Sequence, residues 1–139
     1  MGIFTTMDIS ASGLSAQRAR MDAIANNIAN ANTTRTPEGG PYRRQEAVFA
    51  EHLEDAGIGP ARVAGVETPE IVADGQAPRM VYDPGHPDAN PQGYVAMPNV
   101  NIVREMTDMI TATRAYEANV TAMNASKSMV TKALELGRG

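Results

Sequence analysis

The chain is 139 residues long with a formal net charge of −4 and no cysteine, which is room for one domain or for two small ones that lean on each other. A large multi-domain enzyme, a disulfide framework, a thiolate metal site and the basic surface that nucleic acid requires are all excluded. Alanine accounts for 22 residues while Leu, Ile, Val and Phe together number only 24, so core-formers are scarce and the chain is expected to complete its core against other subunits.

All nine prolines lie between Pro37 and Pro98, and charge changes at the same boundaries: +1 over 1–35, −6 over 36–98 and +1 over 99–139. Proline removes a backbone donor, so the proline-free flanks can be long helices and the middle is short strands and turns. The expected fold is therefore α+β, with long N- and C-terminal helices packed as a coiled-coil-like pair and a small β-rich domain inserted between them. The three parts are 1–35, 36–98 and 99–139, the first and last forming one helical domain. No apolar run reaches the ~18 residues of a membrane-spanning helix, and no basic segment precedes an apolar one at the N-terminus, so neither membrane insertion nor a cleaved secretory signal is expected.

In the N-terminal flank Met7, Leu14, Met21 and Ile28 recur every seven residues, with Ser10, Gln17, Ile24 and Ala31 between them. That is a narrow stripe with small residues that allow close approach. Thr5 or Thr6 can cap the helix, and the stretch from Asn30 to Pro37 ends it. Asn26, Asn27, Asn30 and Asn32 are unusual, because asparagine is a poor helix former. They are either a fraying helix end or amides that bond to neighbouring subunits. The middle offers strands over Gln45–Leu53, where a helix fits as well, and over Arg62–Val66, Arg79–Tyr82 and Gly93–Met97, each bounded by turn residues.

The C-terminal flank has the strongest period. Spacings of four and three connect Ile102, Met106, Met109, Thr113, Tyr116, Val120, Met123, Lys127, Val130 and Leu134, the 3.5-residue repeat of a coiled-coil seam. Asn99 or Asn101 can cap its start, Glu105 and Asp108 suit the positive end of the helix dipole, and Lys132 suits the other end before Gly137. At 1.5 Å per residue the helix is about 50 Å long, more than a small globular domain needs.

Candidate chemistry is sparse. Asp83, His86 and Asp88 have a spacing that could present ligands to a divalent metal. Pro84, Gly85 and Pro87 make a turn there instead, in which Asp and Asn bond their own backbone, so a metal-dependent enzyme is the remote alternative. His52 stands alone and reads as a strand-face residue. No phosphate loop, dinucleotide fingerprint or nucleophile elbow is present, so no enzyme activity, cofactor or metal is expected.

The run from Ser12 to Thr33, SGLSAQRARMDAIANNIANANT, resembles the N-terminal signature of bacterial flagellar axial proteins of the rod and hook group. Within that group, Tyr82 to Ile102, then Glu105-Met-x-Asp-Met-Ile and Arg114-Ala-Tyr-Glu-Ala-Asn-Val, look like a component of the proximal rod. Residues 66 to 79 match no pattern of the group. The resemblance implies a structural subunit of the periplasmic rod, exported by the flagellar type III apparatus without a cleaved signal. It also implies self-association, other rod proteins as partners, the MS ring and export gate on one side and the distal rod on the other. Carried over by motif, Leu14, Met21, Ile24, Asn26, Asn27, Ile28 and Asn30 serve the N-terminal packing face, and Met109, Tyr116, Val120, Met123 and Val130 the C-terminal one.

Overall fold

The computed structural model describes residues 3–54, 62–67 and 69–137. Two helices dominate, α1 (Ile3–Ala29) and α2 (Ile102–Leu136). They pack antiparallel, with Asn27 beside Glu105, Met21 beside Thr113 and Gly13 beside Asn119. At 35 residues against 27, α2 is the longer partner and its end runs past Ile3, with residues 131–137 all exposed. No helix among the described residues is long and apolar enough to cross a membrane.

The helix ends follow local chemistry. Asn101 caps α2 by accepting from the Arg104 N–H at 3.2 Å, one of the two expected caps. Its stop at Gly137 is also as expected, although Lys132 lies before the last turn and gives that end no cation. In α1, Thr5 and Thr6 do not cap, because the helix already runs at Ile3 and both threonines lie inside it. The exit agrees with the expectation. Asn30 donates its side-chain amide to the Asn26 carbonyl at 2.9 Å and receives the Thr33 hydroxyl at 3.2 Å, closing the last turn before Pro37.

Between the helices the strands are β1 (Gln45–Val48), β2 (Glu51–Glu54), β3 (Arg62–Val66), β4 (Glu70–Ala73), β5 (Arg79–Tyr82) and β6 (Tyr94–Met97). They form three antiparallel two-stranded sheets, β1–β4, β2–β3 and β5–β6. The first two are one long hairpin in two arms. Gln45 pairs with Ala73 and Glu51 with Val66, and the Glu67 N–H still reaches the Ala50 carbonyl at 2.9 Å across the break. The single strand expected over Gln45–Leu53 is thus two strands, interrupted at Phe49 and Ala50, and the helical option there is not taken. Strand β4 lies in the stretch that matched no pattern. Its four residues are all exposed, so it has no apolar alternation for a sequence reading to catch.

The hairpin lies along α1. At its base Gln45 meets Asn27, and in its far arm the Val66 N–H donates to the Ser12 hydroxyl at 3.0 Å. Gly65, with φ of +140°, fits there because a Cβ would sit 2.4 Å from the Ser12 oxygen. The second hairpin, β5–β6, stacks Tyr82 on Tyr94 edge to face at 5.3 Å. Its loop is tied to the chain leaving α1, where Asp88 accepts from the Thr34 hydroxyl and the Arg35 guanidinium. Residues of the compact core are few and small: Ala16, Ala23, Ile24, Ala31, Val95, Val100 and Ala112.

Candidate subunit-packing surface and its buried polar cluster

The helix seam is a heptad, displaced from the apolar stripe. Glu105, Ala112 and Ser126 are buried and Asn119 half-buried, and they alternate with half-buried Met109, Tyr116, Met123 and Val130. The expected stripe shares Met109, Tyr116, Met123 and Val130 with this seam. Apart from Ile102 its other positions sit one residue further on, and Ile102, Met106, Thr113, Lys127 and Leu134 are exposed while Val120 is half-buried at the edge. Size explains the displacement. Facing α2 are Gly13, Ala16 and Ala23 of α1, so the backbones come close and the nearest positions admit only small or hydrogen-bonding side chains. A Cβ on Gly13 would lie 3.0 Å from the Asn119 amide.

On α1, Ile24 and Asn27 are buried, Leu14, Met21, Ile28 and Asn30 half-buried, and Asn26 exposed. Asn27 has no exposed surface and uses every hydrogen-bonding position of its amide. Its Nδ2 donates to the Gln45 carbonyl at 2.8 Å and to Glu105 Oε2 at 3.1 Å. Its Oδ1 accepts the Gln45 N–H at 2.8 Å and the Tyr42 hydroxyl at 3.0 Å. The side chain therefore treats Gln45 as a strand neighbour would, closing the β1 edge that β4 leaves open. Of the four asparagines Asn27 is buried, Asn30 half-buried, and Asn26 and Asn32 exposed.

Glu105, 1% exposed, is turned into the seam instead of standing free at the helix N-terminus. Arg44 Nε donates to its Oε1 at 2.6 Å, and Arg44 also reaches Glu46 at 3.4 Å and Asp74 at 3.9 Å. Burial opposes the Arg44 charge, but the Glu105 bond and the charges of Glu105 and Glu46 outweigh it, so its pKa rises. Burial first, and then the Glu105 charge, push the Tyr42 phenol up, which keeps it a donor to Asn27. Two helices and the base of the long hairpin thus meet at one satisfied polar cluster. Sequence reading singled out Asn27 and missed Glu105, Arg44, Tyr42 and Asp74. The available signal was Glu105 itself, a carboxylate at the heptad position shared by Ala112, Asn119 and Ser126.

The remaining apolar surface is on the outside. Val103, Met106, Ile110, Met129, Leu134 and Leu136 of α2 are exposed, Val103 by 74% and Leu136 by 84%. Val103, Met106 and Ile110, at spacings of three and four, share one flank of the helix, which is what a further helix covers. A cleft of about 270 Å³ between α1, α2 and β1 is lined by Arg20, Arg44, Glu46, Phe49 and Asp108 among others, and no nucleophile and base converge in it. Asp83, His86 and Asp88 do not form a metal site either. Asp83 caps the Gly85 N–H, the His86 Nδ1 accepts the Asp88 N–H at 3.0 Å, and Asp88 faces Thr34 and Arg35. Among the residues whose placement is described, no group of three His, Cys, Asp or Glu could hold a metal ion. The His52 side chain lies outside what is described.

Comparison with known proteins follows the two helices. A family model described as "Flagella basal body rod protein" matches residues 7–35, and one described as "Flagellar basal body rod FlgEFG protein C-terminal" matches residues 92–136. A flagellar basal-body rod protein FlgC from Borreliella burgdorferi is 46% identical, with both chains covered in full. Proteins of the same name from Bacillus subtilis and Salmonella typhimurium are 44% and 42% identical, over 99% of this chain and all of theirs. With identities of this size over the whole length, and with family models of rod proteins matching both ends of the chain, it belongs to the flagellar basal-body rod protein FlgC family.

Proposed function

We propose that this chain is a structural subunit of the proximal rod, polymerising by helix–helix packing into the hollow shaft that joins the MS ring and export gate to the distal rod and hook. Its partners are further copies of itself and the other rod proteins. It reaches the periplasm through the flagellar type III apparatus without a cleaved signal. Residues 1–35 and 99–139 form the helical domain of the subunit and 36–98 the inserted part. Leu14, Met21, Ile24, Asn26, Asn27, Ile28, Asn30, Met109, Tyr116, Val120, Met123 and Val130 contribute to packing, within the helix pair or across subunits. The reading needs no catalytic group, cofactor or metal.

The observation that carries it is the apolar flank of α2, where Val103, Met106 and Ile110 face outward on a helix far longer than this core requires. A tube grows by heterologous contacts that do not close, and each added subunit removes such a flank from water. The test is mass spectrometry of purified hook–basal-body particles from the source bacterium. Several copies of the chain per particle are expected. Its absence from the particles, with recovery as a soluble folded species, would overturn the assignment.

A further inference from the structure

The helix seam specifies its own register poorly, and one cluster makes up the deficit. The inward residues are small: Gly13, Ala16 and Ala23 on α1, and Ala112 and Ser126 on α2. Seams of this kind can slide by whole heptads without changing the pattern of small against large. Moving α2 by seven residues, about 10 Å along its axis, would bring Ser126 opposite Gly13 in place of Asn119, and Ala112 opposite Asn27 in place of Glu105. In that arrangement Leu134 and Leu136 would take the exposed positions that Lys127 and Met129 hold here. A slide the other way would set Asn27 against Pro98, before α2 begins, so the nearest competitor is the slide that brings Ala112 to Asn27.

Against that competitor the observed register has one advantage that does not repeat. Only here does the buried Asn27 amide meet a carboxylate, and only here does Glu105 meet Arg44. In the slid arrangement Asn27 loses its Glu105 acceptor and Arg44 is left without its innermost partner. A buried polar group that selects one register of an otherwise permissive seam is the best attested use of such groups. We propose that Asn27 and Glu105, held by Arg44, are the specificity-determining pair that fixes the register of the terminal helices and thereby the length of α2 left projecting beyond α1.

The absence of native cysteine allows a direct test on the full chain by oxidative cross-linking. A Gly13→Cys/Asn119→Cys variant reports the observed register, since a Cβ on Gly13 lies 3.5 Å from the Asn119 Cγ, the place the introduced sulfur would take. A Gly13→Cys/Ser126→Cys variant reports the slid one. With the cluster intact the first pair should close at least about tenfold faster, the preference that a hydrogen bond to a charged group sets. Adding Asn27→Leu and Glu105→Leu should let the second pair close at a comparable rate, with helical circular dichroism kept. Glu105→Gln, which keeps an acceptor oxygen for Asn27, should restore the preference for the first pair. Equal closure with the cluster intact, or an undiminished preference after its removal, would overturn the proposal. So would loss of helicity in the doubly substituted chain, which would make the cluster a requirement for folding and not a choice between registers.

Discussion

Asn27→Ala removes two donors and two acceptors from a point with no exposed surface. The consequences can be ranked by what each partner does next. Tyr42 is half-buried and can turn its hydroxyl to water, and Glu105 keeps Arg44 on its other oxygen. The lasting losses are the Gln45 N–H and C=O on their α1 side and the second carboxylate oxygen. At about 1–3 kcal/mol for each buried group left unpaired, with a water entering to serve part of the need, the variant should lose ~3 kcal/mol. Asn27→Asp should be worse at neutral pH, because the isosteric carboxylate would lie against Glu105 Oε2 and the Gln45 carbonyl. Those neighbours hold the new carboxyl's folded-state pKa above its unfolded value, so its penalty is full at high pH and eases as pH falls through that raised value. Urea titration followed by far-ultraviolet circular dichroism, at neutral pH and again at about pH 5, separates the two effects. If Asn27→Ala stays within about 0.5 kcal/mol of the parent, or Asn27→Asp is no worse than Asn27→Ala at neutral pH, the accounting of the cluster is wrong.

Other substitutions test other parts of the fold. Met123→Asp, in the helix seam, should cost several kcal/mol and abolish motility. Met106→Asp or Ile110→Asp, on the exposed flank, should leave the isolated chain within about 0.5 kcal/mol of the parent and still abolish motility; a motile strain carrying either would count against the flank as a contact between subunits. Gly93→Ala, where φ is +85° and a Cβ would meet the Tyr82 ring at 2.9 Å, should lower stability by ~1–3 kcal/mol, and an unchanged melting temperature would contradict this. The Asp88 carboxyl is held below its ordinary value by the Thr34 hydroxyl, with burial opposing and Arg35 adding to the lowering. Its contribution is therefore present above the unfolded pKa and lost as pH falls through the folded one. The stability gap between the parent and Asp88→Asn should close below about pH 4, and a gap constant down to pH 2 would refute the assignment. Amide hydrogen exchange should be fast over 131–136 and slow from Glu105 to Ser126; uniform protection along α2 would show that its projecting end is covered.

The division into helix, short strands and helix was legible because proline punctuates the chain so unevenly. The cap at Asn101, the end of α1 near Asn30, and β3, β5 and β6 all follow from single residues whose backbone preferences are strong. The rest was hidden for identifiable reasons. Reading for large apolar residues finds Met106, Val120 and Leu134, whereas the closest approach of two helices is made by residues such as Gly13, Ala16 and Ala112, whose virtue is lack of bulk. The stripe was therefore placed one residue away from the true seam at every second position. Arg44 and Asp74 gave no sign in sequence of meeting Glu105, because their proximity depends on a hairpin whose return strand, Glu70–Ala73, carries no alternation. The Asp83, His86 and Asp88 stretch is read correctly as a turn.

The cluster joins positions far apart in the chain: Asn27 and Glu105 are separated by 78 residues and Arg44 and Glu105 by 61. Contacts of such long range require the loop between them to be closed first, which makes folding slow compared with a bundle built from neighbours. Neither helix can be fixed early. Until the polypeptide beyond residue 105 is in place, one of the two amide donors of Asn27 lacks its acceptor and the Arg44 Nε lacks its buried carboxylate. The lock therefore closes only once Glu105 and the helix that follows it are in place.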